Sequence, residues 1–258
     1  MDRGELRAAL AAGLLEMRYQ PIVRLDTGAP VGLEALARLN HPVLGIMLPG
    51  VFVPQIEDAG LAAELTDRVA GTAFADMAGA ALAPLGLPIG VNLPLDVLLV
   101  PAALERFDAQ RRTAGLEPGQ IVIELTESQP VTDIAGLRRA TERVRAAGYG
   151  AVIDDIAPSV PLIAELMDLP FTGLKLDKAV VQAVSGSQTA RAFATGTIAA
   201  AVSHGLTVIA EGVEDRATWG RMRAMGAHQA QGFLVARPLL AAEVPGWLAG
   251  WDGSSFAC

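Results

Sequence analysis

Cysteine is nearly missing from this chain of 258 residues: the single one, Cys258, is the last residue. A lone terminal thiol forms no intrachain disulfide and supplies no cysteine-based metal site, so the cytoplasm is the expected compartment. Long apolar runs are missing too. No stretch approaches the roughly 20 uninterrupted apolar residues of a membrane span, although 52% of the chain is hydrophobic and mean hydropathy is +0.38. That much apolar content, cut into short pieces, excludes disorder over most of the length and predicts no membrane contact. The opening MDRGELRAALAAGLLEM carries acids where a secretion signal has a basic region, and reads as an amphipathic helix over 1–16. Positive charge is scarce, with 20 Lys and Arg against 28 Asp and Glu, a net charge of −8. Duplex nucleic acid, which requires a basic surface, is excluded as a partner. A small anionic ligand is not, provided cations neutralise part of its site. His41, His204 and His228 show no ligand spacing, and the glycines form no GxGxxG or phosphate-binding loop. Internal repeats, low-complexity tracts and linkers are all missing, so one domain is expected over 1–250, with 251–258 as a loose tail.

What is present is an alternation. Short apolar runs at 17–23, 31–39, 88–93, 121–126, 151–154, 172–177, 206–212 and 227–233 read as strands. Helical patterns fill 55–83, 95–112, 133–147, 160–168, 178–203 and 214–225, with a closing helix at 240–248. In TDIAGLRRATERVRAAG, Thr132 or Asp133 can cap the helix, Leu137 and Val144 share a face, and Gly148 ends it. Strand-helix alternation implies parallel strands with crossover helices. About eight strands in this length favour a closed α/β barrel of the TIM (β/α)8 type over an open doubly wound sheet. The first two strands differ. Only RLDTGAP separates them, too short for a helical crossover, so an antiparallel hairpin is expected and the barrel is a modified one with an antiparallel first strand.

Nearly every strand after the first delivers a polar residue near its C-terminal end: Glu34, Asn92, Glu124, the pair Asp154 and Asp155, Lys175, Glu211 and Gln231. A lone acid at a strand end is more often a helix cap or an ion-pair partner. A lone buried lysine is more often a snorkelling side chain, and Asn92 before Pro94 or Gln231 before Gly232 serves equally as a turn residue. Their recurrence at one end of successive strands is what argues for a site, because in a barrel those ends converge on one face. Five carboxylates there against Lys175 and Arg38 would repel one another and raise one another's pKa. Hard divalent cations relieve that repulsion. A set of carboxylates plus an amide, without Cys or His, suits Mg²⁺ or Mn²⁺ better than Zn²⁺. Adjacent aspartates can serve two ions, and paired ions fit in-line attack on a phosphate ester.

The motifs also resemble a known family. YQPIVRLDTGAPVGLEALARLNHP, with Glu34-Ala35-Leu36, is similar to the opening of EAL domains, the cyclic di-GMP phosphodiesterase family. GVNLP, IVIELTES, AVIDD, GLKLDK, VIAEGVED and GAHQAQGFLVARPL follow in the family's order, over 19–239. The resemblance implies a modified TIM barrel that hydrolyses cyclic di-GMP to linear pGpG with two Mg²⁺ or Mn²⁺ ions, working as a homodimer. It implies Glu34, Asn92, Glu124, Asp154, Asp155 and Glu211 as metal ligands. Lys175 is implied as the residue that orients or deprotonates the attacking water, with Glu211 and Glu34 beside it in the catalytic set. Gln20, Arg38 and Gln231 are implied on the substrate side, Arg38 facing a phosphate and Gln231 holding a metal-bound water. Glu127 resembles the glutamate that anchors the loop after the Asp pair, and Glu214 the second acid of EGVE. Two departures stand out. Where the family has Phe-Gly-Thr-Gly after the Asp pair, this chain has Ile156-Ala157-Pro158-Ser159, so the loop must take another path. Leu39 stands where the family usually has Trp, which would alter stacking on a guanine. The alternative is a catalytically silent EAL module that binds the dinucleotide or a protein partner.

Overall fold

The computed structural model describes residues 2–126 and 133–256. β1 (Leu15–Arg24) and β2 (Pro30–His41) form the expected antiparallel hairpin, with Gln20 opposite Glu34. β3 (Gly45–Met47) folds back on β2 as an unforeseen short addition. β4 (Ile89–Pro94), β5 (Ile121–Thr126), β6 (Gly150–Ile156), β7 (Gly173–Leu176), β8 (Thr207–Ala210) and β9 (Gln229–Ala230) follow. Pairing runs from β1 through β9, β8, β7, β6, β5, β4 and β2 and returns to β1, so eight strands close a barrel. β1 is antiparallel to both of its neighbours, and every other barrel pair is parallel. Closure leaves no barrel strand with an unpaired edge.

The helices are α1 (Arg3–Ala11), α2 (Pro49–Asp58), α3 (Ala62–Ala78), α4 (Leu95–Leu98), α5 (Pro101–Thr113) and α6 (Ile134–Ala146). They continue as α7 (Ile163–Met167), α8 (Lys178–Ala183), α9 (Gln188–Ser203), α10 (Arg216–Ala224) and α11 (Val244–Gly250). Three expected helices are each split in two. Gly60, at φ 67°, breaks 55–83 between α2 and α3. Val100 breaks 95–112 between α4 and α5, just ahead of Pro101. Ser187 restarts the chain after α8 by accepting from the backbone N of Ala190 at the head of α9. Asp133 caps α6 by accepting from the Gly136 N–H at 2.7 Å, and Leu137, Ala140 and Val144 bury one face. Thr132, the other capping candidate, lies outside the described residues. Among the described residues no helix is long and apolar enough to cross a membrane.

The C-terminal segment expected to be loose is packed as far as Phe256, and residues 257–258 lie outside the described ones. The Trp251 indole donates to the Gly28 carbonyl at 2.7 Å, and Phe256 stacks on Trp251 and packs against Trp219. Gly28, at φ 69° in the β1–β2 turn, has the Gly253 backbone where a Cβ would stand, so both glycines are needed for this contact.

The core has two parts. A large apolar layer lies between the barrel and its helices. Inside the barrel, Ile22, Val152 and Ile209 form a separate plug with Val122 against it. Each plug residue sits two positions from a polar one on its own strand or just past its end: Val122 before Glu124, Val152 before Asp154, Ile209 before Glu211, and Ile22 after Gln20. Strand periodicity therefore stacks a charged layer directly on an apolar floor.

Candidate active site

The residues predicted from strand ends converge. Gln20, Glu34, Asn92, Asp154, Asp155, Glu211 and Gln231 line one cleft of about 750 Å³ at the barrel mouth. Lys175 and Glu124 lie buried beneath it, within contact of the same carboxylates. Register explains the convergence, since Glu34 pairs with Gly90, Asn92 with Glu124, and Lys175 with Ile209. α2 and α3 wall one side through Val53, Leu65 and Val69, and Lys178, Glu214 and Phe233 form the opposite rim.

Adjacent residues of a regular strand point to opposite faces, so Asp154 and Asp155 should not share a site. The register between β6 and β7 shifts between Ile153 and Ile156, a bulge, and Asp155 adopts φ 55°. Aspartate tolerates the left-handed region better than most residues. Its backbone N–H donates to Asp154 Oδ1 at 2.9 Å, which ties the two together. The result turns both carboxylates into the cleft, and together with Glu211 they offer oxygens within 4.8 Å of one another.

Lys175 is fully buried, with its Nζ 2.7 Å from Glu211, 3.0 Å from Glu124 and 3.2 Å from both Glu34 and Asp154. One ammonium faces five carboxylates once Asp155 is included. Burial on the apolar floor pushes the Glu211 carboxyl up to about 8 and Asp154 up to about 6, against the pull of Lys175. Burial likewise holds Glu124 well above the usual carboxylate range. At Glu34 burial acts the same way, but Lys175 and the amides of Gln231 and Asn92 outweigh it and keep its pKa below normal. Burial alone would strip the proton from Lys175; Glu124, Glu211, Glu34 and Asp154 reverse that and hold it as ammonium.

These directions predict a pH dependence. An acid whose pKa is raised by folding binds more protons folded than unfolded, so stability falls as pH rises toward the folded value. With Asp154 at about 6 and Glu211 at about 8, the chelator-treated protein should lose thermal stability steadily from about pH 5 to about pH 8. Glu34 does not offset this, because its contribution changes only below the ordinary carboxylate range. Scanning calorimetry with chelator and with excess Mn²⁺ checks it: the decline should shrink with Mn²⁺, and a flat profile in chelator contradicts the assignment.

The donor set fits hard divalent cations. Two triplets bring carboxylate oxygens within 4.8 Å of each other: Glu34, Glu124 and Asp154, and then Asp154, Asp155 and Glu211. Asp154 belongs to both, as a ligand bridging two ions would. The Asn92 amide donates to Glu34 Oε1 at 3.0 Å, which leaves its carbonyl oxygen as the atom a cation would use. All of these donors are oxygens, the choice of Mg²⁺ and Mn²⁺.

The remaining predicted positions do not join this cluster. Arg38 is half-buried on β2, donates to the Ala37 carbonyl at 2.8 Å, and is not among the residues lining the cleft. Leu39 is fully buried in the core opposite Leu15 and Met47, so a larger residue there would enlarge the core rather than stack on a ligand. Glu214 pairs with Lys178 at 3.0 Å on the rim. Glu127 lies outside the described residues.

Gly90 was not anticipated. A Cβ on it would stand 2.0 Å from Glu124 Oε1, so the missing side chain makes the space that Glu124 occupies. The available signal was a glycine inside a strand, two residues before Asn92. Gly90→Ala should displace the Glu124 carboxylate, weaken Mn²⁺ binding in calorimetry and cut turnover about a hundredfold. Far-UV circular dichroism should stay unchanged, and wild-type metal affinity in the variant counts against this role.

Comparison with known proteins agrees with this geometry. Residues 3–238 match the EAL domain family model. The chain is 32% identical over 230 residues to the cyclic di-GMP phosphodiesterase PA2567 of Pseudomonas aeruginosa, covering 89% of this chain and 39% of that protein. It is 32% identical over 229 residues to the cyclic di-GMP phosphodiesterase RocR of the same organism, covering 88% of this chain and 58% of that one. The chain thus spans less than two thirds of the length of these curated relatives. Among solved structures, the PaMucR phosphodiesterase in complex with c-di-GMP superposes with a TM-score of 0.86 at 29% identity, over 93% of this chain and 98% of that one. The sequence motifs, the closed barrel and the family match over 3–238 converge on one conclusion: the chain belongs to the EAL domain family.

Proposed function

We propose that this chain is a divalent-metal-dependent phosphodiesterase that opens one phosphodiester of cyclic di-GMP and releases linear pGpG. The observation that carries the proposal is the pair of carboxylate triplets sharing Asp154, set around Lys175 at the foot of an open cleft. Two bound Mg²⁺ or Mn²⁺ ions would supply an acidified water and neutralise charge on the phosphate. The chain's own residues do the rest. Glu34, Asn92, Glu124, Asp154, Asp155 and Glu211 would hold the ions. Lys175, kept as ammonium by its neighbours, orients the attacking water and steadies negative charge that builds on phosphate oxygens. The apolar floor of Ile22, Val152 and Ile209 lies directly beneath and strengthens every charge interaction above it. Water oxygen bonds to phosphorus, the bond to one ribose oxygen breaks, and that oxygen leaves with a proton. The family likeness supports a cytoplasmic homodimer as the working form.

A second reading, a silent module that binds the dinucleotide without cleaving it, is favoured by one observation. The segment after the Asp pair contains Ala157, Pro158 and Pro161 instead of glycines, and Leu162 takes φ 57° in it. Incubation with cyclic di-GMP and Mn²⁺, followed by chromatography, separates the two. Appearance of pGpG supports the phosphodiesterase. Binding by calorimetry with no product after prolonged incubation overturns it for the silent module.

A further inference from the structure

Gln231 is 3% exposed, and its Oε1 is buried without a hydrogen-bond partner among the described residues. Its Nε2 is fully used, donating to Glu34 Oε2 at 2.5 Å and to Gln20 Oε1 at 2.9 Å. Gln20 in turn donates from its Nε2 to the Ala236 carbonyl at 2.9 Å. A backbone carbonyl can only accept, so it fixes which end of the Gln20 amide faces it. The other end, an oxygen, must then face β9 and take a hydrogen from Gln231. The Gln231 backbone is itself held, its N–H on Ala210 O at 2.9 Å and its carbonyl taking the Val213 N–H at 3.0 Å.

Glu34 by itself would hold the same orientation only while its charge faces the amide. With the carboxylate committed to a cation, the Gln231 NH2 would be repelled and its oxygen attracted, and the amide would turn over. Gln20 opposes the turn, because reversal sets Gln231 Oε1 against Gln20 Oε1, two acceptors in contact, and Gln20 cannot reverse without facing Ala236 O with another oxygen. We propose that Gln20 is a positioning residue that fixes the polarity of the Gln231 amide, so that Gln231 offers the cleft an acceptor oxygen for a water hydrogen. A buried acceptor beside polar partners is where an ordered water is expected. The role differs from direct contact between Gln20 and the dinucleotide, and it rests on the phosphodiesterase reading above.

Two measurements test it. In the first, the Gln231 side-chain amide, assigned by its loss in Gln231→Met, is followed by NMR with and without Mg²⁺. Its hydrogens should stay protected in both states of the wild type and exchange roughly tenfold faster in Mg²⁺-loaded Gln20→Met. In the second, Gln20→Met should lower kcat by roughly 10- to 100-fold with KM within about threefold. In a Gln231→Met background the same change should cost less than about twofold, since both residues act through one amide. If Gln20→Met fails to fold, Gln20→Asn, too short to reach both partners, takes its place. Unchanged amide exchange, multiplicative rate effects, or a rise in KM with kcat preserved overturns the proposal. If the wild type shows no turnover, the phosphodiesterase reading fails, and the NMR comparison still decides the amide.

Discussion

Asp154→Asn should abolish divalent-cation binding and lower turnover of cyclic di-GMP by about a thousandfold or more, because several kcal/mol of transition-state stabilisation would depend on the ions that Asp154 is placed to share. Asp154 is the carboxylate common to the two triplets, whereas Glu124 belongs to one and Glu211 to the other. Glu124→Gln should therefore reduce the calorimetric stoichiometry from two ions to one, and Asp154→Asn from two to none. Stability should move the other way. The Asp154 carboxyl sits at about 6 because burial and its acidic neighbours disfavour its charge. Replacing it by a neutral isostere should raise the melting temperature of the chelator-treated protein at about pH 8. At about pH 5, where the wild-type group is itself largely protonated, the gain should vanish. Equal ion stoichiometry in wild type and Asp154→Asn contradicts the shared-ligand geometry, and a lower melting temperature at high pH contradicts the electrostatic account.

Lys175→Met should have the opposite sign on stability and a smaller, still large, effect on rate. Its ammonium lies within 3.2 Å of four carboxylates, three of them at least nine-tenths buried. Removing one partner of a buried ion pair leaves uncompensated charge and costs about 3–5 kcal/mol. The deficit should grow with pH, since at low pH the carboxyls take up protons instead. Mn²⁺ should restore part of the lost melting temperature by taking over the neutralisation, while turnover stays depressed by about a hundredfold or more for want of the orienting group. A melting temperature unchanged from wild type in chelator at about pH 8 removes Lys175 from its place as the counter-charge of the cluster.

The fold was legible because its signals are local and repeat. Strand-helix alternation and a seven-residue link between the first two strands require parallel pairing with one antiparallel hairpin, and the barrel shows both. The site was legible in outline because parallel strands put their C-terminal ends on one face, so Glu34, Asn92, Asp154, Lys175 and Glu211 could be brought together without coordinates. Helix breaks were less legible. Gly60 ends α2 through a left-handed conformation, and a glycine in a helical pattern does not announce which conformation it will take. The tail at 251–256 looked free because its partners, Gly28 and Trp219, are distant in sequence.

The sequence by itself determined the fold class, the strand ends that converge on the candidate site and the hard-oxygen character of the donors there, since period-2 alternation and residue type are properties of the chain alone. Tertiary structure decided how those residues act. The bulge in β6 turns two neighbouring aspartates to one side, and the void at Gly90 is filled by a glutamate from the next strand. The Lys175 ammonium finds four carboxylates from four other strands or their ends, and the Gln20 amide accepts from one 211 residues away. Each of these depends on distances of a few ångströms between segments far apart in the chain. Charge interaction, desolvation and hydrogen-bond direction are fixed only when those distances are.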